Sequence, residues 1–234
     1  MAAAESCFEP RTHLREAALR PEAAALLVID MQNFCCHRSG GEWRCLSEDE
    51  FQKKTGEFWD DMQASTRNIQ RLLDVFRGKR MEVLFTTIES LTKDGRDRSL
   101  DYKISGFNVP RGSWDAKVLD EIAPLEDEIV LPKTSSSVFI STNVQYTLRN
   151  LEIKQVVLVG GLTDQCVESA IRDACDSGFL VTQVTDACYT HSKERQDASV
   201  RAIKGYCRQR TTEQLLEELA PLSSAAPWLR SGFR

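Results

Sequence analysis

Apolar residues in this chain fall into short, near-continuous runs separated by segments of helical period. Residues 24–30 (AALLVID), 81–88 (MEVLFTTI), 128–131, 156–159 (VVLV) and 179–185 are too short and too apolar for amphipathic helices. They read as strands of a parallel sheet buried on both faces. Between them the period lengthens. Ser47 to Glu50 has the form of a capping box, and Phe51, Phe58, Met62, Ile69, Leu72, Leu73 and Phe76 then recur at helical spacing up to Gly78. One long helix or two are expected there, with Gly56 as the break. Further helices are predicted over 114–122, 142–151 and 193–206, the last with Ala198, Ala202 and Ile203 inward. Another carries Val167, Ala170, Ile171 and Ala174 and stops at Gly178, and a last one follows the Thr211–Gln214 capping box. Residues 89–112 form a long polar connection of the kind that is usually functional or disordered.

Strands alternating with helices predict an α/β fold, a three-layer α/β/α sandwich with a mostly parallel, Rossmann-like sheet of about six strands. A single domain over 23–220 is expected, with an N-terminal arm (1–22) and a C-terminal tail (221–234). The 234 residues suffice for one sizeable core. Net charge −5 and the lack of a basic run argue against nucleic acid. No run approaches the ~18 apolar residues of a membrane span, and residues 1–22 lack the apolar stretch of a signal peptide. Eight cysteines without regular spacing fit reduced thiols and a cytoplasmic setting.

Composition leaves the chemistry open, and the strand ends narrow it. Asp30, Lys133 and Cys166 each fall at or just beyond the carboxyl end of a predicted strand, and in a parallel sheet these ends share one edge. Cys166 follows a strand and the Gly160-Gly161 turn and opens a helix, the arrangement of a nucleophile elbow. A helix start beside an ammonium is expected to lower a thiol pKa. Asp30 would move the proton, Lys133 would steady charge, and the backbone N–H groups of Leu162 and Cys166 would receive an oxyanion. His191 is a second candidate for the base. Phe34, Trp43, Trp114 and Phe139, with Gln165, are expected to wall a pocket. Glu89 is expected to accept the N–H groups of a planar ureido substrate. His13, His37 and His191 are scattered, and Cys35, Cys36 and Cys45 match no zinc spacing, so no metal and no cofactor is expected.

IDMQNF (29–34), LPKTSSSVF (131–139) and GGLTDQCVESAIRDACDSGF (160–179) resemble, in this order, the three signature segments of the isochorismatase-like cysteine hydrolases. The similarity runs from about residue 24 to 219. It implies an Asp-Lys-Cys triad on Asp30, Lys133 and Cys166, a cis Gly161–Leu162 bond, and a homodimer or homotetramer acting on a small molecule. Gly161 stands where the family usually has a β-branched residue. Family members that hydrolyse the vinyl ether of isochorismate need no thiol, and nicotinamidases bind a metal through an Asp and two histidines after the second strand. Here that region reads TTIESLTKDGRDRSLDYK (86–103) and contains no histidine. The segment RGSWDAKVLDEIAP (111–124) before EIVLPK (128–133) resembles the branch acting on ureidoacrylate, biuret and N-carbamoyl amides. The expected activity is therefore a metal-independent cysteine amidohydrolase working through a thioester. The rivals are a vinyl-ether hydrolase and a catalytically silent scaffold.

Overall fold

The computed structural model describes residues 11–225, so the start of the expected arm and the end of the expected tail lie outside the described residues. In chain order the elements are β1 (Ala24–Ile29), α1 (Asn33–Cys36), α2 (Glu48–Gly78), β2 (Glu82–Ile88), α3 (Leu100–Ile104) and β3 (Ile129–Lys133). They continue with α4 (Val138–Ser141), α5 (Val144–Asn150), β4 (Gln155–Gly161), α6 (Glu168–Asp176), β5 (Leu180–Tyr189), α7 (Lys193–Ile203), β6 (Arg208–Arg210) and α8 (Thr212–Leu219). The six strands form one sheet in the order β3-β2-β1-β4-β5-β6. Every pairing is parallel.

The apolar runs are buried on both faces because helices cover both. Ala24, Leu26 and Val28 of β1 pack with Val157 and Val159 of β4 beneath the apolar stripe of α2 and Leu215 and Leu219 of α8. Ala25, Leu27 and Ile29 point the other way with Val156 and Leu158, beneath α5, α6 and Ile203 of α7. Each fully buried Leu or Ile in these layers contributes roughly 1.5–3 kcal/mol. Both expected capping boxes are present, at Ser47/Glu50 and Thr211/Gln214. The long helix is broken where expected, with Gly56 at φ 30°, ψ −120°.

Three expectations are corrected. Residues 114–122 are not one helix but two 3₁₀ turns, Trp114–Ala116 and Asp120–Ile122. Between them the chain is extended, because Val118 pairs with Gln32 in an antiparallel bridge. The helix expected over 142–151 is present as α5, with the short helix α4 before it and extended Thr142 between them. In α7, Ala198 and Ala202 face solvent, while Ser199 and Ile203 face inward. Ser199 fixes that face by donating to Glu168 Oε2 at 2.6 Å. The third concerns β5, which runs on to Tyr189 because its register against β4 shifts between Leu158 and Gly160. β6 (Arg-Gln-Arg) has no apolar residue to announce it. It is fastened by fully buried Arg208, whose guanidinium donates to Glu218 of α8 at 3.0–3.2 Å.

The strand order reverses between β1 and β4, which makes their carboxyl ends the crevice where open α/β sheets place ligands. Gly160 sits in that crevice at φ +113°, and a Cβ there would lie 2.1 Å from Ile29 O. Gly160→Ala should therefore combine backbone strain with overpacking and cost on the order of 3–5 kcal/mol. A urea midpoint within error of the parent protein would contradict this.

Candidate active site

Asp30 follows β1 directly, Cys166 follows β4, and Lys133 ends β3. The three meet. Lys133 Nζ lies 2.8 Å from Asp30 Oδ2 and 3.4 Å from Cys166 Sγ. Neighbouring strands are about 4.8 Å apart, so Lys133 starts about 10 Å from β1 with β2 between them. Only a long, straight side chain closes that gap. Lys133 Nζ also donates to Ser135 O at 2.9 Å and to the Tyr102 hydroxyl at 3.3 Å. Thr86, on the intervening strand, donates from Oγ1 to Asp30 Oδ1 at 2.7 Å. Asp30 itself stands at φ +54°, a left-handed conformation costing roughly 1–2 kcal/mol in an L-residue. The Asp30 N–H bonds to Thr86 O at 3.1 Å and so anchors that geometry.

Cys166 lies in a π-turn, Thr163–Val167, that leads into α6. The Gly161–Leu162 peptide before the turn is cis. Asp164 holds the turn to β5 and α7, accepting from Thr190 Oγ1 and Arg195 Nε, each at 2.5 Å. The empty side of Gly161 is filled by Tyr189, whose ring would lie 2.5 Å from any Cβ at 161. That ring accounts for the absence of a β-branched residue. The tyrosine hydroxyl meets Cys36 Sγ at 3.0 Å.

The electrostatics correct the expected low thiol pKa. Burial comes first and pushes the Cys166 thiol up to about 12; Lys133 pulls it down, but Asp30 adds to the rise. Burial would lower Lys133, yet the Asp30 carboxylate, with Cys166 and Tyr102, more than offsets this and holds the ammonium above its ordinary range. The resting centre is thus a neutral thiol facing a carboxylate–ammonium pair. Asp30 Oδ2 contacts Lys133 as an ion pair without a well-aligned hydrogen bond, which leaves it open to a proton.

The centre opens into a cavity of about 160 Å³. Gly161, Leu162, Gln165 and Cys166 line it on one side, and Ile88, Tyr102 and Phe107 on another. Cys35, Glu42, Asp101, Tyr189 and His191 complete it with Asp30. Gln165 and Leu162 are where the sequence placed them. The expected aromatic wall is elsewhere. Phe34 packs behind Phe107, with ring centroids 5.3 Å apart. Trp43 is core, donating from Nε1 to Cys35 O at 2.7 Å. Trp114 is 45% exposed, and Phe139 packs on Phe179 on the opposite layer. Glu89 also lies outside the lining, its Oε1 accepting from Gly112 N at 2.6 Å.

Tyr102 and Phe107 come from the long polar connection and stack on each other, and nothing in their spacing marks them. His191 lines the cavity and stacks on Phe58 at 5.1 Å; burial and then Arg195 lower its pKa. The thiol's partners are Lys133 and Asp30 rather than His191. All seven cysteines of the described residues are free. Among those residues no group of three or more His, Cys, Asp or Glu is placed to hold a metal ion, and no helix is long and apolar enough to cross a membrane.

The isochorismatase domain model matches residues 24–215, most of the chain. The chain belongs to the isochorismatase family. It is an isochorismatase-family hydrolase, similar to the ureidoacrylate amidohydrolase RutB of Rhizobium rhizogenes (27% identical over 187 residues, 73% of this chain and 72% of that protein). It is also similar to N-carbamoylsarcosine amidase of an Arthrobacter species, 31% identical over 123 residues, 50% of this chain and 47% of that one. A cysteine hydrolase from Pseudomonas syringae pv. phaseolicola shares the fold with a TM-score of 0.76, at 20% identity over 88% of this chain and 96% of that one. N-carbamoylsarcosine amidase from Thermoplasma acidophilum does so at 0.65 and 23% identity, over 82% and 97%.

The raised thiol of this isochorismatase-family centre has a direct readout. In the free protein, alkylation of Cys166 by iodoacetamide should be slower at neutral pH than that of exposed Cys45, and should still climb beyond pH 9. Asp30→Asn should move the profile to lower pH, and Lys133→Met to higher pH. A Cys166 profile that levels off near the unperturbed thiol value of about 8.5 would contradict this.

Proposed function

We propose that this protein is a cysteine amidohydrolase that cleaves a C–N bond in a small ureido, carbamoyl or carboxamide substrate through a thioester, without a metal. The observation that carries this reading is Lys133 Nζ in contact with both Asp30 and Cys166 at the floor of a closed-in cavity. The names of the similar amidohydrolases support the same bond type.

The chemistry follows from the neutral thiol. As Sγ attacks the carbonyl carbon, its proton passes to Asp30, so a free thiolate is never required. The oxyanion is received by the N–H groups of Leu162 and Cys166. Asp30 then returns the proton to the leaving nitrogen, which departs as ammonia or an amine and leaves the acyl group on sulfur. In the second half Asp30 takes a proton from water, the new oxygen attacks the thioester, and the proton restores the thiol. Lys133 remains an ammonium throughout, held 2.8 Å from Asp30 Oδ2.

Ammonia release across ureido, carbamoyl and carboxamide compounds tests this. Cys166→Ala should abolish turnover, and Asp30→Asn should lower it by about 10³-fold or more, with the double variant no worse than Cys166→Ala alone. Exhaustive chelation should leave the rate unchanged. Turnover of isochorismate that survives Cys166→Ala would replace this reading with vinyl-ether hydrolysis, and a stoichiometric metal that restores lost activity would remove metal independence.

A further inference from the structure

The charge around the cavity is one-sided. Among the described residues, Asp30, Glu42 and Asp101 line it, and no lysine or arginine does. The one ammonium beneath it, Lys133, is already paired with Asp30. His191 is held toward its neutral form by burial, and nearby Arg195 is paired with Asp164. Glu42 is the least satisfied of these groups. No described residue makes a hydrogen bond or ion pair with its carboxylate, and burial pushes its pKa up to about 7. Its neighbours Cys35 and Tyr189 are both held protonated, so neither adds a charge to the cavity. Glu42 is half-buried on the cavity wall, where its carboxylate meets whatever fills the cavity.

We infer that the cavity selects amides whose non-reacting end is uncharged or cationic, that Glu42 meets this end with Asp101 at the rim, and that amides bearing a carboxylate are excluded. An acrylate or a sarcosine carries such a carboxylate, so this chain would part from the relatives named for those substrates. The inference rests on the amidohydrolase reading only in setting the scissile carbonyl against Cys166. A carboxylate at the far end of the substrate would face Glu42 and Asp101 with no free cation to receive it.

Three ureas of matched length test it: 2-aminoethylurea (cationic), propylurea (neutral) and 3-ureidopropanoate (anionic). At pH 8, above the Glu42 value, two readouts apply: the concentration that half-protects Cys166 from alkylation, and Cys166-dependent ammonia release. The cationic and neutral compounds should protect at concentrations at least about tenfold lower than the anion. Glu42→Gln should narrow that gap at least about threefold, and if this variant does not fold, Asp101→Asn in exposed sequence should narrow it in the same direction. An anion that protects as well as or better than the others, a gap unchanged in the variants, or no protection by any of the three would overturn the inference. Cys166-dependent turnover of the anion in preference to the others would overturn it and leave the amidohydrolase reading intact. The expected ranking without Cys166-dependent turnover of any amide would instead remove the amidohydrolase reading and keep the charge selection.

Discussion

The buried ion pair between Asp30 and Lys133 is the constraint around which the rest is arranged. Their side chains are 3% and 0% exposed, and stripping water from two charges costs several kcal/mol each. Their attraction offsets this only with further bonds in place, and those come from Thr86, Ser135 and Tyr102. Replacing such a pair with apolar residues is often neutral or stabilising, so its presence argues for chemistry rather than stability. Its demands reach outward. β1, β2 and β3 must hold their register, Asp30 must adopt a left-handed backbone, and the connection carrying Tyr102 must fold back over β3.

The same pair explains why a helix-start cysteine here does not become a thiolate. An ammonium lowers a thiol pKa, but a carboxylate beside it raises that pKa in turn. Lys133 and Asp30 pull in opposite directions, and burial dominates. In the mechanism proposed above, cysteine and carboxylate share one proton, which would turn a poor resting nucleophile into one that is activated only as the carbonyl arrives.

The parts of the molecule legible in sequence are those governed by burial and period. β1 and β4 announce themselves as apolar runs, the capping boxes mark α2 and α8, and Gly56 marks the break in α2. Asp30, Lys133 and Cys166 could be placed together because the end of a parallel strand is a position that sequence reveals. The pocket wall was less legible. An aromatic side chain has the same spacing whether it faces a core or a cavity, so Trp43 and Phe139 could not be told from Tyr102 and Phe107. Tyr189 was hidden by a register shift, which no pattern in β5 records. Glu42, in a loop of mixed composition, owes its importance to its place on the cavity wall, which no pattern in the loop records.

The reversal of strand order between β1 and β4 bears on how the chain acquires its shape during synthesis. β2 and β3 add to one side of β1 within the first 133 residues, but its other edge waits for β4, which is complete only at Gly161. Until then the most apolar strand of the protein carries an open row of unpaired backbone groups, a template for any stray strand. The cleft between Asp30 and Cys166 is a seam closed late, by a pairing of distant segments, and the site comes into being only as that exposed edge disappears.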